Sequence, residues 1–237
     1  MNKHLTSIVL PYYNHWDLTY ARLGDIYKHA PLDRIEVILV NDASPDPECR
    51  LGVGHWQKLN LYPTKYIENK ENLGFGDSHN KGAKGADGDI LIFLSNDVVI
   101  TGKFVEQVEQ IIDDHNGEVF IGNEVLYFDT GWNVIEINGK PSIVCYPVGY
   151  FLACTKTMWE RIGGFDPIYG KYDYEDVDLG AWCIYNDVPM VALNNRNLRH
   201  LGEQTVRKVN PNREEHTKKN GILFREKWTE KLKEKYG

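Results

Sequence analysis

A chain of 237 residues that is 42% hydrophobic and 26% charged has the make-up of a folded globular protein with one sizeable core, neither disordered nor fibrous. Its net charge of −7 argues against non-specific attachment to nucleic acid or anionic lipid. No apolar run reaches the roughly 20 residues of a membrane span and no signal-like segment opens the chain, so a cytoplasmic protein is expected.

Cys49, Cys145, Cys154 and Cys183 are scattered without metal-ligand or redox spacing and read as reduced thiols. Residues 7–11 form an apolar strand ended by Pro11, which cannot donate to a ladder, and Tyr12-Tyr13-Asn14 follows as a polar-aromatic loop. Residues 16–29 have helical character. A second strand over 35–40 ends at Asn41-Asp42-Ala43-Ser44-Pro45. A helix over 49–60, weakened by Gly52 and Gly54, precedes a third strand over 65–69, which runs into Glu71-Asn72-Leu73-Gly74-Phe75-Gly76. After a short helix to Ala86, Leu91-Ile92-Phe93-Leu94 has no polar interruption and reads as a strand buried on both faces. It stops at Ser95-Asn96-Asp97, which is good turn chemistry and also a carboxylate at a strand end.

Strand and helix alternate here, so parallel pairing with helices on the sheet faces is expected, and right-handed crossovers bring the four polar strand ends to one edge. Ligands of open α/β sheets bind at that edge. Gly74-Phe75-Gly76 lacks the third glycine of a dinucleotide fingerprint, and no Gly-Lys-Ser/Thr loop is present.

Beyond Asp97, residues 102–114 form an amphipathic helix, with Phe104, Val105, Val108, Ile111 and Ile112 on one face. The stretch 119–146 is β-rich, and Asn116-Gly117, Thr130-Gly131 and Asn138-Gly139 read as hairpin turns. A short helix over 155–162 leads to Asp173, Glu175, Asp176 and Asp178, at the start of a helix reaching Asp187. Acids in a first turn complement the macrodipole, with Asp173 as cap and Asp176 answering it, yet that explains two of the four more readily than all of them. A strand over 189–193 precedes His200. In the tail, Phe224, Trp228 and Leu232 recur at helical spacing and are expected to dock onto the domain, with contact to anionic lipid as the alternative. The expected division is a domain over 1–205 and a helical tail over 206–237.

Several fragments recur in a fixed order: Leu10-Pro11-Tyr12-Tyr13-Asn14, Val40-Asn41-Asp42-Ala43-Ser44-Pro45-Asp46, Asn72-Leu73-Gly74 with Asn80 and Gly82, Leu94-Ser95-Asn96-Asp97, Gly163-Gly164-Phe165-Asp166, Tyr174-Glu175-Asp176-Val177-Asp178 and His200. Together they resemble the family 2 glycosyltransferases of GT-A type, over residues 7 to about 202. The resemblance implies a Rossmann-like α/β fold: a mixed, mainly parallel sheet flanked by helices, with a smaller antiparallel region. It also implies inverting transfer from a nucleotide-sugar donor, UDP-linked in preference, to a glycan or lipid-linked acceptor, with peripheral membrane contact or a nucleic-acid acceptor left open.

By the same resemblance Pro11, Tyr13, Asp42, Asn72, Gly74, Asn80, Ser95 and Asn96 would hold the nucleotide. Asp97 and His200 would bind a divalent cation, Mn2+ or alternatively Mg2+. Asp176 would be the general base with Glu175 beside it, and Asp173, Tyr172 and Trp132 would meet the acceptor. Ser95 stands where the family's metal-binding acid motif has its first acid, a departure that bears on metal affinity. A binding module with little catalysis is the competing reading. A nucleotidyltransferase is a third, but no glycine-rich basic loop follows the first strand.

Overall fold

The computed structural model describes residues 4–126, 134–137, 140–143, 145–202 and 213–236. The first half lays down four strands, β1 (Thr6–Tyr12), β2 (Ile35–Asn41), β3 (Thr64–Glu68) and β4 (Ile90–Leu94), joined by helices α1 (Trp16–His29), α2 (Glu48–Leu59) and α3 (Phe75–Lys84). All pair in parallel, with β1 between β2 and β4, and β3 outside β2. The sheet therefore grows one way from β1 to β3 and then reverses to place β4 on the other side of β1. Such a switch point opens a crevice beyond the carboxyl ends of the two strands that flank it.

Two-residue alternation sorts the strand side chains into two layers. Ile8, Leu10, Ile92 and Leu94 pack with Leu23 and Ile26 of α1 and with Val53 and Trp56 of α2. Val9, Leu91 and Phe93 face the opposite way, toward Ala83 of α3. With both faces covered, every residue of β2 and β4 is buried; β4 is an unbroken apolar run, whereas β2 also buries Glu36, which pairs with Ser7 and Lys65, and Asn41.

The second half contains β5 (Val98–Ile100), α4 (Val105–Asp114), β6 (Phe120–Gly122), β7 (Val125–Leu126), β8 (Val134–Ile137), β9 (Lys140–Ile143), β10 (Tyr146–Pro147) and β11 (Phe151–Thr155). Then come α5 (Lys156–Ile162), α6 (Glu175–Tyr185), β12 (Met190–Ala192), β13 (Leu198–His200) and α7 (Arg213–Tyr236). The main sheet runs β12-β6-β11-β4-β1-β2-β3, with β11 antiparallel to both neighbours, so it is mixed but mainly parallel. Two-stranded ladders β10-β7, β13-β5 and β8-β9 supply the smaller antiparallel part.

Asn116-Gly117 is not a hairpin turn. It terminates α4: both residues have positive φ (52° and 81°), and the Gly117 N–H donates to the Ile112 carbonyl at 2.9 Å. Thr130-Gly131 and Asn138-Gly139 lie outside the described residues, although β8 and β9 on either side of 138–139 pair antiparallel.

On α7, Phe224, Trp228 and Leu232 are 0%, 3% and 1% exposed and pack with Tyr169, Tyr174, Val177 and Ala181. Burying each such side chain is worth roughly 1.5–3 kcal/mol, enough to hold α7 against the segment that carries the acidic stretch. Among the described residues no helix is long and apolar enough to cross a membrane.

Candidate active site

A cleft of about 540 Å3 lies at the switch point. Pro11 and Tyr13 reach it from the end of β1, and Ser95, Asn96 and Asp97 from the end of β4. Asp42, at the end of β2, also lines it but is only 5% exposed. Its Oδ1 accepts from Asn69 Nδ2 and the Leu73 N–H, both at 2.8 Å, and its Oδ2 from the Gly74 N–H at 2.8 Å. A carboxylate offers about four lone-pair sites, so Asp42 chiefly shapes the 69–74 loop and keeps little acceptor capacity for a ligand. Asn72 and Gly74 of that loop line the cleft as well.

Gly74 is required by space and by backbone. Its φ is +88°, and a Cβ there would lie 2.2 Å from Cα of Lys171. The next residue closes the seam, because the Phe75 N–H donates to the Lys171 carbonyl at 2.7 Å. The loop after β3 is thus joined directly to the loop that precedes the acidic helix.

Asp97 and His200 meet because β5 and β13 pair antiparallel with Val98 opposite His200. Asp97 Oδ2 and His200 Nε2 are 3.3 Å apart, and the Tyr150 ring stacks on the imidazole at 4.6 Å and 14°. From below, Arg22 of α1 pairs with Asp25 at 2.7 Å and donates to the Val98 carbonyl, pinning β5. Burial pulls the Arg22 guanidinium below its ordinary range, against the pull of Asp25 and Asp97. Among the described residues no cluster of three or more His, Cys, Asp or Glu is placed to hold a metal. Asp97 and His200 are therefore a two-donor set, spaced so that both would reach one ion at bond lengths of about 2.0–2.2 Å, with phosphate oxygens to complete it. One carboxylate and one imidazole suit a first-row divalent cation, so these residues fit the implied ion.

The four acids around α6 divide sharply. Asp173 receives Arg213 Nη2 (2.6 Å), Arg213 Nε (3.1 Å) and Thr217 Oγ1 (2.7 Å). Asp178 receives Tyr169 OH (2.8 Å), Trp228 Nε1 (2.6 Å) and Lys227 Nζ (2.8 Å). Those two are tied to α7; Asp173 also lines the cleft, and it does not cap α6 as expected. The residue at the helix entry is Tyr174, in the left-handed region, with no side-chain cap.

Glu175 and Asp176 face the cleft without such partners. Glu175 is 4% exposed, its Oε1 has no hydrogen-bond partner among the described residues, and burial pushes its carboxyl well above the usual range. Asp176 is half-buried, its Oδ2 accepting from the Gly149 N–H and its Oδ1 from the Val177 N–H, each at 2.9 Å. Burial raises its pKa to about 6, with these two donors opposing the rise and the Asp173 charge adding to it.

Tyr172 lines the cleft and Trp132 lies outside the described residues. Asn80 does not line it: its amide donates to the Phe165 carbonyl (2.8 Å) and accepts from the Phe165 N–H (2.9 Å), bracketing α3 to the loop after α5. Asn96 lines the cleft with its amide donating to Thr19 Oγ1 at 3.1 Å. Sequence reasoning missed Gly149, Tyr150, Lys171 and His79, which also line the cleft. His79 accompanies Asn80 in the glycine-containing fragment, and burial holds its imidazole neutral, with a pKa near 4. No local pattern marks the other three.

Residues 7–163 match the family described as Glycosyl transferase family 2. An uncharacterised glycosyltransferase of Haemophilus influenzae is 31% identical over 171 residues, which is 68% of this chain and 56% of that protein. The minor teichoic acid biosynthesis protein GgaB of Bacillus subtilis is 32% identical over 127 residues, 53% of this chain and 14% of that protein. Among solved structures, a mannosyltransferase from Pyrobaculum calidifontis in complex with GDP-Man and Mn2+ superposes with a TM-score of 0.63 at 18% identity, covering 81% of this chain and 55% of that one. Residues 1–349 of TarS from S. aureus, in complex with UDP, give 0.58 at 18% identity, covering 79% and 57%. The two superpositions share the GT-A architecture, and this chain spans between one seventh and a little over half of these four proteins.

Proposed function

This chain belongs to glycosyl transferase family 2, and on that premise we propose that its cleft moves a sugar from a nucleoside-diphosphate donor to an acceptor hydroxyl with inversion at the anomeric carbon. The observation that carries the reading is that one cleft holds two separate kinds of acidic group. Asp97 stands beside an imidazole at the end of β4, whereas Asp176 stands in the first turn of α6 with a carboxyl raised to about 6 and no ion pair among the described residues.

A single displacement forms the bond from the acceptor oxygen to the anomeric carbon as the bond to the diphosphate oxygen breaks, and the acceptor proton goes to one carboxylate oxygen. Asp176 is ionised at pH 7–8 and basic enough to take that proton, and the Gly149 and Val177 N–H groups hold it in place. Glu175, whose carboxyl burial pushes upward, would hydrogen-bond a sugar hydroxyl with its unpartnered Oε1. Asp97 and His200 would hold the divalent cation, Mn2+ with Mg2+ as the alternative. When bound, that ion offsets the charge that builds on the departing nucleoside diphosphate.

A UDP-linked donor follows the UDP-GlcNAc of the TarS structures, with the GDP-Man of the mannosyltransferase as the competing base. The names of GgaB and TarS, in teichoic acid and poly(ribitol-phosphate) chemistry, favour a glycan polymer or its lipid-linked precursor as acceptor.

A thermal-shift panel of UDP, dTDP, GDP and CDP, each with and without Mn2+, tests the donor side. At 100 times its Kd the right nucleotide stabilises by about 2.7 kcal/mol. It is expected to do so only with Mn2+, and Asp97→Ala should lose the gain. Donor turnover to a glycoside plus a nucleoside diphosphate tests the chemistry, and Asp176→Asn should end it while leaving nucleotide affinity unchanged. Equal loss of affinity and turnover would sink the assignment of Asp176, and no shift with any nucleotide would sink the donor site.

A further inference from the structure

Asp173 and Tyr174 sit side by side in the left-handed region, at φ 69° and 86°, directly before Glu175 and Asp176. Gly170, a little earlier, also has positive φ (73°). L-residues avoid that region, so two in succession persist only when the surroundings over-determine them. Tyr174, at the entry of α6, makes no side-chain cap.

The restraint comes from α7. Asn220, 1% exposed, aims its amide Nδ2 at the carbonyls of Tyr169 (2.8 Å), Tyr172 (3.1 Å) and Asp173 (2.8 Å). One turn earlier, His216 Nε2 lies 3.0 Å and 3.1 Å from the Tyr169 and Tyr172 carbonyls. Arg213 and Thr217 complete the set on the Asp173 carboxylate, and Asp178 is gripped further along by Lys227 and Trp228. Residues at 213, 216, 217 and 220 recur at helical spacing, so one face of α7 presents them all to the turn. Carbonyls bent out of regular structure and buried need donors, and this face supplies them.

We propose that α7 is a working part of the active site: Asn220 and His216, with Arg213 and Thr217, are positioning residues that hold the Asp173-Tyr174 turn in the shape that delivers Glu175 and Asp176 to the cleft. This rests on the reading of Asp176 as general base. Loosening the turn moves the base away from the acceptor hydroxyl, and displacements of about 1 Å there already cost rate.

The test uses Asn220→Ala, Thr217→Val and the conservative Thr217→Ser in the full chain, read by steady-state kinetics and by amide hydrogen exchange. Asn220→Ala is expected to lower kcat about tenfold or more with donor KM within about twofold. It should speed exchange over residues 172–177 about tenfold while β1 and β4 stay protected as in the wild type. Thr217→Val should show a smaller change of the same kind, and Thr217→Ser should restore wild-type values because its hydroxyl still reaches Asp173.

Unchanged kcat and unchanged exchange at 172–177 in folded variants would overturn the proposal, as would a donor KM that rises as far as kcat falls. If Asn220→Ala does not fold, the Thr217 pair decides alone. If the wild type transfers no sugar, the functional reading fails, and the exchange comparison still decides whether α7 holds the turn.

Discussion

Replacing Asp176 by asparagine should make the protein more stable at alkaline pH while ending transfer. Burial raises this carboxyl from 3.8 to about 6, so the folded state binds its proton more tightly than the unfolded chain does. Stability is then fully present below pH about 3.8 and is lost as pH rises through about 6. That rise corresponds to about 3 kcal/mol at pH 8, falling to about 1.6 kcal/mol at pH 5.

Asparagine removes that ionisation cost, but its amide oxygen replaces two carboxylate acceptors facing Gly149 and Val177, a loss of about 1 kcal/mol. The net gain is about 2 kcal/mol at pH 8 and about 0.6 kcal/mol at pH 5. For a chain of this length each kcal/mol moves Tm by about 2–4 °C, so Asp176→Asn should melt about 4–8 °C above wild type at pH 8 and about 1–2 °C above it at pH 5. Differential scanning calorimetry of both proteins from pH 5 to 8 reads this directly. A variant no more stable at pH 8, or one whose advantage does not shrink on acidification, would refute the claim that burial raises this carboxyl.

With Asp176 as the proposed base, kcat should fall below pH about 6, leaving about one tenth at pH 5, and a midpoint near 4 would point to a different base. Phe224→Ala empties a fully buried position under α7 and should cost about 3–5 kcal/mol in urea denaturation; a loss below about 1 kcal/mol would mean the helix docks without it. Gly74→Ala drives a Cβ to 2.2 Å from Lys171 Cα at a φ of +88°. It should weaken nucleotide binding about tenfold or more by isothermal titration, and unchanged affinity would separate the Gly74–Lys171 seam from the nucleotide pocket.

Much of the frame was legible because it depends on local periodicity. The uninterrupted apolar run Leu91-Ile92-Phe93-Leu94 announces a strand covered on both faces, and β4 is such a strand. The helix expected over 16–29 has those limits, and the residues Phe224, Trp228 and Leu232 are buried together. Alternation of strand and helix implied parallel pairing and one edge for the polar strand ends, and a chain cannot hide that order from its own sequence.

What sequence alone could not decide was which polar groups meet. Asp97 and His200 come together through two strands of three residues each, too short to carry a pattern and paired across a long separation. Asn116-Gly117 has hairpin chemistry but ends a helix, because the left-handed conformation it favours serves both uses. The acidic stretch shows the difference most clearly. Asp173, Glu175, Asp176 and Asp178 are chemically alike in the sequence, and their composition marks the region as unusual. Only the docking of α7, which brings Arg213, Thr217, Lys227 and Trp228 against Asp173 and Asp178, sets those two apart from Glu175 and Asp176. A carboxylate's role follows from the charge and the burial around it, and those are properties of the assembled fold.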